Sequence, residues 1–257
     1  MAESKCVLAL MAHPDDAEFA CAGTLARLHR EHGWRVAIAT MTPGDCGSAT
    51  LGPDAISRLR VEEARAAAAI LDADYHCAGL RDLFITYDRD ALNRATEIVR
   101  RAAPDVVITH GPQDYMVDHE MTSRLVRTAC FGGPIPNFYT DAASPAQPTG
   151  AVPYLYYADA VEGHDLFGQA IEPSTVVDIT GVMAVKERML CCHATQRDWL
   201  KAHHGMDEYV ESMKQLSARR GELIGTNYAE AFVQHHGHAY PRSDLLAETL
   251  GARSFDD

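Results

Sequence analysis

Three short aliphatic runs constrain the fold of this chain more than any other sequence feature. Residues 6–12 (CVLALMA), 36–42 (VAIATMT) and 105–110 (DVVITH) have the pattern of strands buried on both faces. Segments with helical spacing separate these runs, and repeated strand–helix–strand units place their strands parallel to one another. The sequence therefore predicts an α/β fold with a doubly wound, mostly parallel sheet.

Weaker patterns complete the predicted element order. The further strands are expected at 75–80, 153–161 and 175–179, and the helices at 17–32, 55–71, 90–103, 119–131, 182–203 and 207–222. No internal repeat or linker interrupts the chain, and its 257 residues are an ordinary length for one α/β domain. We therefore expect a single domain over residues 1–257.

Composition excludes several classes of function. The chain has 23 Lys and Arg against 36 Asp and Glu, a formal charge of −13, which argues against binding nucleic acid or an anionic membrane. Its 7 Cys are scattered and form no C-x-x-C pair, so neither a disulfide framework nor a thiolate zinc site is predicted. The apolar run near the N-terminus is too short for a signal peptide or a membrane span, so we expect a cytoplasmic protein.

Two clusters of candidate metal ligands follow predicted strands. His13, Asp15 and Asp16 come directly after the first strand, and the segment from Asp114 to His119 follows DVVITH. Ligands of such sheets bind beyond the carboxyl ends of the strands, and imidazole with carboxylate suits a divalent cation such as zinc. Taken alone, the first cluster could cap a helix and His119 could be a surface residue. Their joint occurrence favours a metal site.

These residues carry a resemblance to a known family. The stretches AHPDDAEF (12–19) and YMVDHE (115–120) resemble the PIG-L/LmbE family of zinc-dependent N-acetyl deacetylases, whose motifs read AHPDD-x-E and, usually, HPDH. The similarity extends to a Gly-rich loop after the second strand, the PDVVITH strand and two helical motifs. Those motifs contain Arg60 and Glu63, and Lys186, His193 and Gln196. The resemblance implies a Rossmann-like three-layer sandwich.

The resemblance also implies roles for individual residues. His13, Asp16 and His119 would ligate Zn2+, or another divalent metal such as Fe2+, and leave a position open for water. Asp15 would act as the general base that takes a proton from this water. The implied reaction removes an acetyl group from a small N-acylated substrate, a sugar or sugar-like molecule related to N-acetylglucosamine.

One position departs from the family pattern. Met116 stands where the HPDH motif has its first histidine, and a thioether can neither polarise a carbonyl nor protonate an amine. We expect His238, in the segment HHGH, to supply this catalytic function, while Tyr115 and Met116 contact the substrate. Arg60 is expected to reach substrate hydroxyls or phosphate, with an ion pair within or between helices as the alternative.

The sequence thus predicts a zinc-dependent deacetylase acting on a linear amide. Two alternatives remain: an amidase for a larger sugar-amine conjugate, and a catalytically weak, metal-containing sugar-binding protein. Asp15 argues against the second, because a binding protein needs no general base. A homo-oligomer is left open, and no nucleic acid or membrane partner is expected.

Overall fold

The computed structural model describes residues 4–196 and 208–255, which form an eight-stranded sheet flanked by helices. The strands are β1 Cys6–Met11, β2 Arg35–Thr40, β3 Asp74–Cys77, β4 Val106–His110, β5 Tyr154–Ala158, β6 Thr175–Asp178, β7 Ala229–Gln234 and β8 Arg253–Ser254. The helices are α1 Asp16–Ala20, α2 Ala22–His32, α3 Pro53–Ala69, α4 Arg89–Ala102, α5 Val117–Gly132, α6 Met183–Leu190, α7 Glu208–Glu222 and α8 Leu245–Leu250. None of the helices in these ranges is both long and apolar enough to cross a membrane.

The sheet is mostly parallel, as predicted. Its strand order is β3-β2-β1-β4-β5-β7-β6-β8, and the first five strands in this order pair in parallel. Side chains of β1 alternate between two apolar cores: Val7 and Ala9 face one, and Leu8 and Leu10 face the other. Helices therefore cover both faces of the sheet, which confirms the predicted three-layer α/β architecture.

Five elements differ from the sequence prediction, and two of them, α8 and β8, lie in the C-terminal part of the chain, where no element was predicted. The helix predicted at 17–32 is two helices that meet at Cys21. The helix predicted from residue 182 to His203 ends at Leu190, and its last part lies outside the described residues. Strand β7 was not predicted, and it lies antiparallel between β5 and β6. Its apolar pattern is interrupted by Glu230, a charged residue that is nevertheless buried.

Glu230 can be buried because its carboxylate is paired with three hydrogen-bond donors. Its carboxylate accepts hydrogen bonds from the backbone N–H groups of Gly23 and Thr24, at 2.8 and 2.7 Å, and from Lys186 Nζ at 2.6 Å. The two backbone donors belong to the first turn of α2, where an anion is favoured by otherwise unpaired N–H groups. β7 thereby fixes the start of α2, close behind the segment that carries the first cluster of candidate ligands.

Close packing at this helix start gives a first testable prediction. A Cβ on Gly23 would lie 2.7 Å from Ile179 Cγ2, so Gly23→Ala should lower the free energy of unfolding by about 1–3 kcal/mol, although alanine is the better helix former. Gly181→Ala is the matched control, since nothing lies within 4 Å of an added Cβ there. Urea denaturation of both variants measures the effect, and equal stabilities would contradict the packing.

Candidate active site

The turn after β1 separates two adjacent carboxylates. Asp15 has a φ of 90°, in the left-handed region that a non-glycine residue seldom adopts. Asp16 begins α1, and its Oδ2 accepts a hydrogen bond from the backbone N–H of His13 at 2.8 Å. Asp15 contacts Arg60, whereas Asp16 contacts histidines. The strained turn therefore directs the two carboxylates to different neighbours, consistent with the different roles expected for them.

The structure brings the three predicted ligands together. β1 and β4 are neighbours in the sheet, so the turn after β1 meets the first turn of α5, which carries His119. Candidate ligand atoms of His13, Asp16 and His119 all lie within 4.8 Å of one another, and both histidines are buried. Two imidazoles and one carboxylate that converge in this way fit a catalytic site for a divalent metal, in which three protein ligands leave a position for water.

Two further aspartates orient the histidines. Asp118 Oδ2 lies 3.1 Å from His13 Nε2, and Asp114 Oδ1 lies 2.9 Å from His119 Nδ1. The other nitrogen of each ring faces Asp16, at 3.4 Å for His13 Nδ1 and 3.6 Å for His119 Nε2. A carboxylate behind a ligating histidine fixes which ring nitrogen is free to bind metal. Sequence reasoning marked the segment that contains these aspartates without assigning them this role.

The electrostatics of the cluster favour a cation. Burial alone would raise the pKa of Asp16, but the nearby imidazole of His119 holds it well below its usual value. Burial also lowers the pKa of His13, yet the carboxylates of Asp118 and Asp16 raise it to about 10. The metal-free site therefore holds a proton on an imidazole between carboxylates, and metal binding would displace that proton.

Asp15 is held by a buried arginine. Arg60 Nη2 lies 3.4 Å from Asp15 Oδ1 and donates a 2.8 Å hydrogen bond to the carbonyl of Pro14. Tyr209 also hydrogen-bonds to the Asp15 side chain. Burial raises the pKa of Asp15, and Arg60 offsets part of this effect. A carboxylate with a raised pKa is a better proton acceptor near neutral pH.

Arg60 forms an ion pair other than the one considered as its alternative, and its expected contact with substrate stays a prediction. Its partner is Asp15 in the turn after β1, which is a pair neither within a helix nor between helices. The Gly-rich loop covers its guanidinium closely, and a Cβ on Gly44 would lie 2.5 Å from Arg60 Nη1. Although Arg60 lines the cavity, its exposed fraction is only 4% and its charge is already paired. Its contacts are those of a residue that positions Asp15.

The candidate ligands and Asp15 open into one cavity of about 610 Å³. Tyr115 and Met116 line it as expected, together with Cys46, Asp82, Leu83, Asp114, Asp159, Val161, Gln196 and Tyr209. His110, to which the sequence gave no role, also lines it and stacks on His119 with ring centroids 3.8 Å apart. Its Nε2 lies 3.0 Å from the backbone nitrogen of Ala12 and 3.1 Å from Asp16 Oδ2, so His110 also contacts the candidate ligand Asp16.

The structure does not bring His238 to this cavity. The segment HHGH follows β7, which runs antiparallel to β5; Gln234 at the end of β7 pairs with Tyr156 in the middle of β5, and His235 donates a backbone hydrogen bond to Leu155, closer to the start of β5. Residues after β7 therefore emerge at the edge of the sheet opposite the carboxyl ends of the parallel strands. His238 is exposed there and is not among the residues that line the cavity. The predicted catalytic role of His238 has no support in this geometry.

The chain is similar in sequence to one protein family and to enzymes of known activity. A family model described as PIG-L: GlcNAc-PI de-N-acetylase matches residues 8–130. Diacetylchitobiose deacetylase of Thermococcus kodakarensis is 26% identical over 88% of this chain and 81% of its own length. 4-Oxalmesaconate hydratase of Pseudomonas putida is 26% identical over 93% of this chain and 90% of its own length.

Among solved structures, N,N'-diacetylchitobiose deacetylase from Pyrococcus horikoshii has the same fold. Its TM-score is 0.75 at 24% identity, over 95% of this chain and 89% of that chain. The matched residues 8–130 include both motifs that the sequence analysis singled out. With the fold, the two motifs and these relatives in agreement, residues 8–130 match the PIG-L: GlcNAc-PI de-N-acetylase family, and the chain as a whole is similar to enzymes with this fold.

Proposed function

We propose that the protein is a zinc-dependent deacetylase that removes the acetyl group from an N-acetylated amino sugar or sugar-like molecule. The observation that carries this proposal is the convergence of His13, Asp16 and His119 beside a separate buried carboxylate, Asp15. A relative that deacetylates diacetylchitobiose supports the acetamide and the sugar. Both ligand types suit zinc, and Fe2+ fits the same set.

The chain's own residues would divide the reaction between them. When bound, zinc supplies Lewis-acid polarisation of the amide carbonyl and acidifies a water to about neutral pKa. Asp15 takes the proton of the attacking water, and Arg60 and Tyr209 hold Asp15 in place. Because His238 lies outside the cavity lining, we assign to Asp15 the return of this proton to the leaving amine as well. Acetate and a free amine are the products.

A second candidate function comes from the hydratase relative, since a metal site that activates water can also add it to a double bond. The charge of the cavity argues against this alternative. Its lining includes five aspartates, of which Asp15 is paired with Arg60 and Asp159 with Arg220, so neither arginine is left to pair with a substrate carboxylate. An anionic substrate such as 4-oxalmesaconate would meet these carboxylates with little compensating positive charge.

Two measurements on one preparation test the proposal. Metal analysis should find one zinc per chain, and acetate should be released from N-acetylated amino sugars in stoichiometric amounts with free amine. Hydration of 4-oxalmesaconate without acetate release from any N-acetyl sugar would favour the hydratase. Stoichiometric metal and sugar binding without either reaction would identify a sugar-binding protein, and release of only bulky acyl groups would identify an amidase for larger conjugates.

We also propose a reducing, cytoplasmic location. All seven cysteines are free, including the exposed Cys46, as expected in a compartment that maintains thiols.

A further inference from the structure

We propose that the amine half of the substrate carries an apolar group, an aryl or alkyl aglycone, which packs against an apolar rim at the mouth of the cavity. The rim consists of Leu83, Phe84, Tyr115 and Val117. This inference rests on the proposed amide hydrolysis and specifies which amides the site takes.

The rim is a group of large apolar side chains exposed beside a polar site. Leu83, Phe84, Tyr115 and Val117 are 65–73% exposed. Leu83 and Tyr115 line the same cavity as the candidate metal ligands, and Phe84 and Val117 are next to cavity-lining residues in sequence. Single exposed apolar residues are common, but several on adjoining segments at the mouth of a cavity indicate a binding surface.

The rim is tied to the candidate metal site by one carboxylate. Asp118 Oδ2, which lies 3.1 Å from His13 Nε2, also accepts a 2.7 Å hydrogen bond from the backbone N–H of Leu83. The backbone N–H of Ile85 donates to the same side chain. Tyr115 packs edge-on against His119, with ring centroids 5.5 Å apart. The apolar surface is therefore fixed relative to the candidate ligands His13 and His119.

The backbone of Leu83 supports a functional reason for its exposure. Leu83 has a φ of 65°, a left-handed conformation that is unfavourable for a large side chain and persists only where the surroundings hold it. An asparagine or glycine would adopt this conformation more readily and would be better solvated. A leucine that is both strained and exposed at the cavity mouth fits contact with an apolar ligand.

The depth of the rim indicates which half of the substrate it contacts. The candidate ligands His13 and His119 are buried, so the scissile amide and its acetyl group must reach the bottom of the cavity. Groups at the mouth contact the part of the substrate that points outward, which is the aglycone of the amine half. The aspartates of the lining disfavour an anionic aglycone, so a neutral apolar one fits best.

A pair of matched substrates tests the inference. The methyl and phenyl glycosides of N-acetylglucosamine differ only in the aglycone, and the metal-loaded protein should turn over the phenyl glycoside with about tenfold higher kcat/KM, through a lower KM. In the double variant Leu83→Asn/Phe84→Ser the ratio of the two kcat/KM values should fall towards one. Asparagine is chosen because it tolerates the positive φ of Leu83.

The control is Phe255→Ser, which removes an exposed aromatic residue next to β8, at the far end of the strand order, and should leave the ratio as it is. Equal kcat/KM values for the two glycosides, or a ratio that the double variant preserves, would overturn the inference. A lower molar mass in solution for the double variant, with an unchanged ratio of kcat/KM values, would also overturn the inference. The rim would then be a contact between two copies of this chain.

Failure of the proposed function would be recognised separately. If neither glycoside releases acetate, calorimetric titration of both into the metal-loaded Asp15→Asn protein still tests the rim. Tighter binding of the phenyl glycoside would support the apolar rim and leave only the amide hydrolysis refuted. Equal binding, or no binding of either, would refute the rim as well.

Discussion

Replacing Asp15 with asparagine is expected to lower kcat for acetate release by 10²–10⁴-fold while one metal per chain remains bound. The amide keeps the shape of the carboxylate but cannot accept the proton of the attacking water. Asp15 contacts Arg60 and Tyr209, and it is not among the three converging ligands. Metal content and catalysis should therefore separate in this variant, as steady-state kinetics and metal analysis of the same sample would show.

Folding needs its own control in this experiment. Asp15→Asn leaves the buried guanidinium of Arg60 without its anionic partner. In comparable buried pairs this lowers the free energy of unfolding by about 3–5 kcal/mol. Urea denaturation should show this loss with the protein still folded at the assay temperature. Asp54→Asn, at an exposed position in the first turn of α3, should change neither kcat nor stability appreciably. An Asp15→Asn protein with full kcat would refute Asp15 as the base.

The fold could be predicted because its pattern is local. Strands β1, β2 and β4 are buried on both faces, so their apolar runs are visible without knowledge of their neighbours. β7 escaped prediction because Glu230 interrupts its run, and only Lys186 and the start of α2, distant in sequence, explain a buried carboxylate there.

The same reasoning separates the predictable part of the site from the rest. His13, Asp16 and His119 follow neighbouring parallel strands, whose carboxyl ends meet at one edge of the sheet, so their convergence follows from topology. The pairs formed by Asp118 with His13 and by Arg60 with Asp15 join residues far apart in sequence, and no local pattern encodes them.

His238 shows how one missed strand misplaces a residue. By residue type alone, a histidine-rich segment is a reasonable candidate to replace the histidine that is absent at Met116. Its position depends on the direction of β7, which runs against its neighbours and carries the segment to the opposite edge of the sheet. Residue type predicts what a side chain can do, but strand direction decides whether it is in place to do it.

Replacing His119 with alanine is expected to remove the bound metal and, with it, all measurable deacetylation. Two of the three converging ligands would remain, and the buried Asp114 would lose its imidazole partner, which lies 2.9 Å away. Metal analysis after gel filtration should find much less than one zinc per chain. His32→Ala, which removes an exposed histidine at the end of α2, should retain the full metal content. A stoichiometric, tightly bound metal in the His119→Ala protein would refute the ligand assignment.

Asp114→Asn provides a graded version of the same test in case the alanine variant fails to fold. The amide preserves the size of the side chain beside His119 Nδ1, but it no longer holds the ring with a negative charge. Loss of such an outer carboxylate typically weakens metal binding 10–100-fold, so titration with a competing chelator should show a Kd raised by this factor. With zinc in excess, activity should return towards that of the unaltered protein, because all three ligands and Asp15 remain. Unchanged zinc affinity would show that Asp114 does not support a ligand, and loss of activity that excess zinc cannot restore would place Asp114 in the reaction itself.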